Sequence, residues 1–254
     1  MDLRSRIKQS QEADNKFILT AGLRFGGKTS GLGTLPGKTL LAIAKDLESG
    51  AKGAVNVAKE CGNHVDYIFF EDGTDILELA KAAFDGGYDN FAVDGLTALS
   101  EIEADKPSVK KLITSAGNSV FKGWRMIGES LVNTIRGLKR VSAEYNKPVV
   151  VTLALKDPKA DATGAYAALE PEVKGNMALG EIRGKCPYFV CARRAEDGDG
   201  KPVYVLQTTP DDMFPARLDG VLAKNLPKGF RTEADKVEDG QKIGYAALLD
   251  FLNS

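Results

Sequence analysis

Lys16-Phe-Ile-Leu-Thr-Ala-Gly-Leu-Arg-Phe-Gly-Gly-Lys-Thr29 is the stretch whose reading decides the fold. It joins an apolar run with the form of a β-strand to the pattern Gly-x-x-x-x-Gly-Lys-Thr, with Gly22, Gly27, Lys28 and Thr29 in the fixed places. That is the pattern of a phosphate-binding loop. Glycines let the backbone curl so that successive N–H groups face phosphate oxygens, the lysine reaches the β- and γ-phosphates, and the threonine hydroxyl holds a magnesium ion. On this reading a nucleotide lies against Gly22, Phe25, Gly26, Gly27, Lys28, Thr29 and Ser30. The competing reading, a Gly-rich hairpin turn, is disfavoured by the strand placed immediately before the motif. A second Gly-Lys-Thr, Gly37 to Thr39, has Leu32 where the first glycine is needed, so it reads as a turn entering the next strand.

Outward from the loop, the helix that should follow is interrupted by Gly31, Gly33, Pro36 and Gly37, so it is expected to be short or irregular. Thr39 to Ala44 reads as a second buried strand running into the acidic end Asp46-Leu47-Glu48. Acidic residues at the C-terminal end of a strand in an α/β sheet sit where ligands bind. A short helix over Gly53 to Gly62, a strand over Val65 to Phe70 and a helix from Ile76 to Phe84 capped by Asp75 continue the alternation. Phe91-Ala92-Val93-Asp94 is an apolar strand that ends on aspartate, the form of the second nucleotide motif, in which a carboxylate at the strand tip serves the metal site. Taken alone, such an aspartate is as readily a turn former.

Ser100 to Gly123 reads as a long polar stretch with Lys106, Lys110, Lys111 and Lys122, leading into Trp124 and Arg125. Gly128 to Tyr145 has helical periodicity, with Ile135, Leu138 and Val141 inward and Arg136, Lys139 and Arg140 outward. Val149 to Leu155 is a buried strand, followed by a long Gly- and Pro-containing loop. Tyr188 to Arg193 and Val203 to Thr208 form a hairpin around Glu196-Asp197-Gly198-Asp199-Gly200. That acidic turn lacks the remainder of a calcium loop. A final helix runs from Gly244 to Leu252.

Composition agrees with one large α/β domain: 254 residues, 43% hydrophobic, 27% charged, with a formal net charge of -1. We expect a flexible arm over residues 1–15 and a single domain over 16–254. Cys61, Cys186 and Cys191 have no metal-ligand spacing and read as reduced thiols, half-buried or buried. No signal peptide or membrane-spanning run is visible, so the expected location is the cytoplasm. Near-neutral charge argues against wholesale coating of nucleic acid and leaves a local basic strip open.

In their order, these motifs resemble the RecA-like ATPases, in particular small phage ATP-binding proteins similar to RecA-type recombinases and single-strand annealing proteins. The residues that carry the resemblance are Gly22 to Thr29, Asp46-Leu47-Glu48, Phe91 to Asp94 with Gly95-Leu96-Thr97-Ala98-Leu99, and Gln207-Thr208-Thr209-Pro210-Asp211 leading to Arg217 and Gly220. It implies a RecA-like P-loop fold, a mostly parallel sheet flanked by helices with a C-terminal β-hairpin extension, and ATP hydrolysis with Mg2+. Lys28, Glu48 and Asp94 are the implied catalytic residues, Glu48 polarising the attacking water, and Thr29 and Asp94 the implied metal ligands. The family's γ-phosphate sensor, glutamine or histidine, is replaced at the end of its strand by Leu153, Ala154 and Leu155, with Thr152 or Lys156 as substitutes.

The resemblance also implies two DNA-binding loops, about 100–125 and 156–176. Lys110, Lys111, Lys122, Trp124, Arg125, Lys156 and Lys159 are their candidate contacts, with Lys174 and Tyr166 nearby. The plain alternatives are solvated lysines and a tryptophan anchoring a helix start. Arg217 and Lys224 stand where a cationic finger reaches a neighbouring subunit's nucleotide, against the alternative of surface charge. Expected partners are single-stranded DNA, a single-stranded-DNA-binding protein and further copies of the chain; for a phage-encoded protein the location is the host cytoplasm. The expected activity is ATP hydrolysis supporting phage DNA recombination or annealing. The alternative is a nucleotide-dependent protein-interaction module with little hydrolysis and no DNA binding. A small-molecule kinase is a weaker third reading, since no Arg-rich lid is evident.

Overall fold

The computed structural model describes residues 16–45, 48–115, 117–157, 169–218, 227–233 and 241–254. Its strands are β1 (Phe17–Gly22), β2 (Lys38–Ala44), β3 (His64–Phe70), β4 (Asn90–Asp94), β5 (Val149–Ala154), β6 (Tyr188–Glu196), β7 (Pro202–Gln207), β8 (Arg217–Leu218) and β9 (Gly229–Arg231). The helices are α1 (Lys28–Gly31), α2 (Glu48–Glu60), α3 (Ile76–Asp85), α4 (Leu96–Asp105), α5 (Pro107–Ile113), α6 (Asn118–Tyr145), α7 (Asn176–Lys185) and α8 (Gly244–Leu252). One sheet runs β3-β2-β4-β5-β1-β6-β7-β9, with β8 paired to β6. From β3 to β6 every pairing is parallel. β7, β8 and β9 are added antiparallel beyond β6, so the expected hairpin extension is present.

The sheet follows from the apolar runs. Parallel strands are covered on both faces and need continuous hydrophobic sequence, which β1, β4 and β5 have. Because side chains alternate along a strand, each run divides between two cores. Phe17, Leu19 and Ala21 of β1 join Phe91, Val93, Val149, Val151 and Leu153 beneath α3, α4, α6 and α7. Ile18, Leu41, Ile43, Ala92 and Val150 face the other way, against Leu32, Leu35, Ala51, Ala54 and Ala58 and against Tyr245, Leu248 and Leu249 of α8.

Several expectations hold locally. Asp75 caps α3 by accepting from the Leu77 and Glu78 amides, and Gly37, at φ 80°, turns the chain into β2. α1 is a single four-residue turn followed by a tighter turn at Leu32–Thr34. The Glu196–Gly200 segment closes as a turn, with Asp197 Oδ1 accepting from the Asp199 and Lys201 amides at 3.0 and 2.9 Å. The three cysteines carry free thiols, Cys61 half-buried and Cys186 and Cys191 buried.

One expectation is corrected. Ser100 to Gly123, read as a long polar stretch and placed by the resemblance within a loop of about 100–125, is instead mostly helical: it holds the end of α4, all of α5 and the start of α6. Its lysines mask a sparse apolar face, from which Ala104 and Val109 are buried in the core. Pro107 restarts the helix at a first-turn position, where its missing N–H is not needed. Likewise α2 starts earlier than the expected helix, at Glu48.

Candidate nucleotide site

At the C-terminal edge of the parallel strands, β5 lies between β1 and β4, with Thr20, Thr152 and Asp94 side by side in register. This separates the loop strand from the aspartate strand by one strand, about 10 Å across two spacings. The chain bridges that gap by leaving β1 at Gly22, curling through residues 23–27 and returning in α1, which carries Thr29 back toward β4. Thr29 Oγ1 donates to Asp94 Oδ2 at 2.5 Å, and Thr152 Oγ1 donates to Asp94 Oδ1. Asp94 is only 3% exposed, so both its oxygens are held by hydroxyls inside the protein.

The loop itself is tightly constrained. A Cβ on Gly22 would stand 2.4 Å from the Ala192 carbonyl oxygen of β6, so the glycine is demanded by the neighbouring strand. Gly27, at φ 82°, has the Tyr204 ring against it, 2.9 Å from where a Cβ would lie. Phe25 is left-handed at φ 60° and 95% exposed at the loop tip. A non-glycine residue in that region is uncommon and marks a loop whose shape is imposed by its surroundings.

Lys28 Nζ donates to the carbonyls of Gly22 and Leu23 at 2.9 and 2.7 Å. Burial lowers the pKa of this ammonium from the usual lysine range; the charges of Asp94 and Glu172 work against that, and Arg24 adds to it. A cation partly stripped of water beside a curled backbone is suited to an anion. The hydroxyl of Thr29 and the carboxylate of Asp94 offer hard oxygen donors, a set that fits magnesium, which is held by one or two protein groups together with substrate phosphates. Among the described residues there is no group of three or more His, Cys, Asp or Glu side chains placed to cage a metal alone.

The other expected residues fall into two groups. Glu48 opens α2, but its side chain lies outside the described residues, as do Asp46, Leu47, Lys159, Tyr166, Gly220 and Lys224. Of the two sensor substitutes, Thr152 is buried and committed to Asp94, whereas Lys156 pairs with Glu170 at 3.3 Å. Arg217 lies in β8 and donates to the Cys186 carbonyl of its own chain at 2.8 Å.

Lys110 and Lys111 are exposed on α5, Lys122, Trp124 and Arg125 on α6. Lys110 pairs with Asp105 and Arg125 with Glu129. Phe121, 74% exposed, shares a helix face with Trp124 and Arg125 by its three- and four-residue spacing. Away from this site, a cavity between α6 and α7 is lined by Glu181, Arg136 and Lys185, whose charges already pair with one another.

Sequence reasoning gave no role of their own to Tyr204, Thr97 and Glu172. Thr97 Oγ1 accepts from the Ala154 amide and donates to the Glu172 carbonyl, fixing the segment after β5. The available signal for Glu172 was the acidic run Glu170-Pro171-Glu172 within a stretch otherwise read for its lysines.

No family model matches the chain, and no curated protein matches it. Among solved structures the chain is similar to a crystal structure of the RadB recombinase, at 16% sequence identity and a TM-score of 0.43, over 90% of this chain and 92% of that one.

Proposed function

We propose that the chain binds ATP with Mg2+ at Gly22–Ser30 and hydrolyses it, and that it uses this cycle on single-stranded DNA in recombination or annealing. The observation that carries the nucleotide reading is the convergence of Lys28, Thr29 and Asp94 at one sheet edge, 65 residues apart in sequence for the Thr29–Asp94 pair. A turn would have no reason to bury an ammonium and a carboxylate beside each other. Magnesium, when bound, neutralises charge on the β- and γ-phosphates. The chain's own part is to position: Lys28 turns from the loop carbonyls to the phosphate oxygens, while Asp94 keeps the Thr29 hydroxyl oriented.

The DNA reading draws support from the face of α6 bearing Phe121, Trp124 and Arg125, with Lys122 beside it. Exposed rings offer stacking for bases and cations offer contacts for phosphates. Assembly into homo-oligomers draws on β3, which among the described residues is an edge strand paired with β2 alone and exposes Tyr67, Ile68 and Phe69. The interaction-module reading is favoured by one observation, that neither Thr152 nor Lys156 stands free as a phosphate sensor.

The test measures ATP turnover and light-scattering mass, each with and without single-stranded DNA, on the parent and on Lys28→Ala. The reading expects DNA to raise turnover, binding to fall steeply with salt, and Lys28→Ala to lose nucleotide binding. Equal behaviour of parent and variant refutes the nucleotide site. Tight ATP binding with negligible turnover and no DNA binding at low salt moves the conclusion to the interaction module.

A further inference from the structure

After β5 the chain returns alongside itself. Leu155 and Pro171 form an antiparallel bridge, the Lys156 amide donates to the Glu170 carbonyl and the Glu172 amide to the Ala154 carbonyl, each at 2.8 Å. Thr97 Oγ1 then holds the Glu172 carbonyl at 2.7 Å, and the Lys174 amide donates to Ser100 Oγ at 3.2 Å. This base is tied to the phosphate loop as well, since the Leu155 amide donates to the Gly22 carbonyl at 3.0 Å. Glu172 is therefore fixed at the end of β5, the strand between β1 and β4. Its amide and its carbonyl are both hydrogen-bonded, yet among the described residues its carboxylate makes no ion pair or hydrogen bond.

A carboxylate whose charge reaches the Lys28 ammonium opposes the binding of a polyanion there. In a site that only held nucleotide, it would be a liability. In one that hydrolyses nucleotide, the same carboxylate has work to do, because the attacking water must be oriented and must lose a proton as its bond to phosphorus forms. Among the described residues, Asp94 and Glu172 are the carboxylates whose charge acts on the Lys28 ammonium.

Resting on the nucleotide reading above, we propose that Glu172 is the catalytic base of the site, acting on the water that attacks the terminal phosphoryl group of a nucleoside triphosphate. The water oxygen forms a bond to the γ-phosphorus and the bond from that phosphorus to the β,γ-bridging oxygen breaks, its electron pair staying on the diphosphate. The water proton passes to the Glu172 carboxylate and from there to the released phosphate or to solvent. This assigns to Glu172 the task that the motif order gave to Glu48.

The experiment compares Glu172→Gln and Glu48→Gln with the parent in the full chain, measuring ATP turnover with Mg2+, affinity for a non-hydrolysable triphosphate, and melting temperature. Glu172→Gln is expected to lower turnover about 10²- to 10⁴-fold, the span of a lost general base. It should bind the triphosphate as tightly as the parent or more tightly, since a repelling charge has gone. Glu172→Asp, which keeps the acid but draws it back by one methylene, should regain part of the turnover. A merely structural role would weaken turnover, binding and melting together, and that result overturns the proposal. So does turnover of Glu172→Gln within three-fold of the parent, or a loss confined to Glu48→Gln. If the parent itself fails to bind triphosphate, the nucleotide reading falls first and this one with it.

Discussion

Replacing Thr152 with valine tests how the Asp94 carboxylate is held. The side chains have nearly the same shape, so the substitution opens no cavity and removes only the hydroxyl that donates to Asp94 Oδ1. Both partners are almost wholly buried, so water does not replace the lost donor, and hydrogen bonds to charged groups contribute about 1.5–3 kcal/mol. A destabilisation of about 2 kcal/mol is expected, which for a chain of this size lowers the melting temperature by about 4–8 °C. Among the described residues Asp94 would then rest on Thr29 alone, at 2.5 Å. Thr29→Val and the double variant complete a cycle. The two hydroxyls share one carboxylate, so their effects should depart from additivity by about 0.5 kcal/mol or more. Denaturant titration of the four proteins gives these energies, and a magnesium titration of nucleotide binding reports the loosened aspartate as a higher midpoint. A Thr152→Val protein within about 0.5 kcal/mol of the parent, or strictly additive effects, would refute the claim that these hydroxyls hold Asp94 jointly.

Two further outcomes concern the frame around the site. Tyr245 of α8 is fully buried, with its hydroxyl 2.5 Å from Thr20 Oγ1 of the loop strand, so Tyr245→Phe should cost about 1–2 kcal/mol by denaturation; an unchanged midpoint shows that the bond contributes nothing. Glu181 concerns acid stability: burial opposes its ionisation, but the hydrogen bond from Arg136 and the charges of Arg136, Lys185 and Lys139 outweigh that and hold it below the usual glutamate range. A carboxylate lowered on folding stabilises the fold above its unfolded value, about 4.3, and that share is lost as pH falls through the folded value. Glu181→Gln should therefore flatten the acid limb of a melting-temperature profile below about pH 4.3, and an identical limb would remove Glu181 from the account.

How much was legible follows from the reach of each interaction. The apolar runs of β1, β4 and β5, the Asp75 cap and the turn at Asp197 are local matters of periodicity and backbone geometry, and all were readable. The α4–α6 region was misread because its helices present few apolar residues among many lysines, and only packing against the core shows Ala104 and Val109 to be inward. Glu172 was passed over for a related reason. Nothing local in Glu170-Pro171-Glu172 tells that Thr97, 75 residues away, fixes it beside the loop.

By itself the sequence determined that an apolar strand feeds a Gly-x-x-x-x-Gly-Lys-Thr loop and that a second strand ends on Asp94, because motif spacing and strand periodicity are short-range properties of the chain. Only the tertiary structure decided that β5 is inserted between them, that Thr152 is spent on Asp94 rather than free at the strand tip, and that the Gly22 position is dictated by the Ala192 carbonyl of β6. Strand order and close approach depend on residues 58 or more positions apart, and no local pattern carries that information.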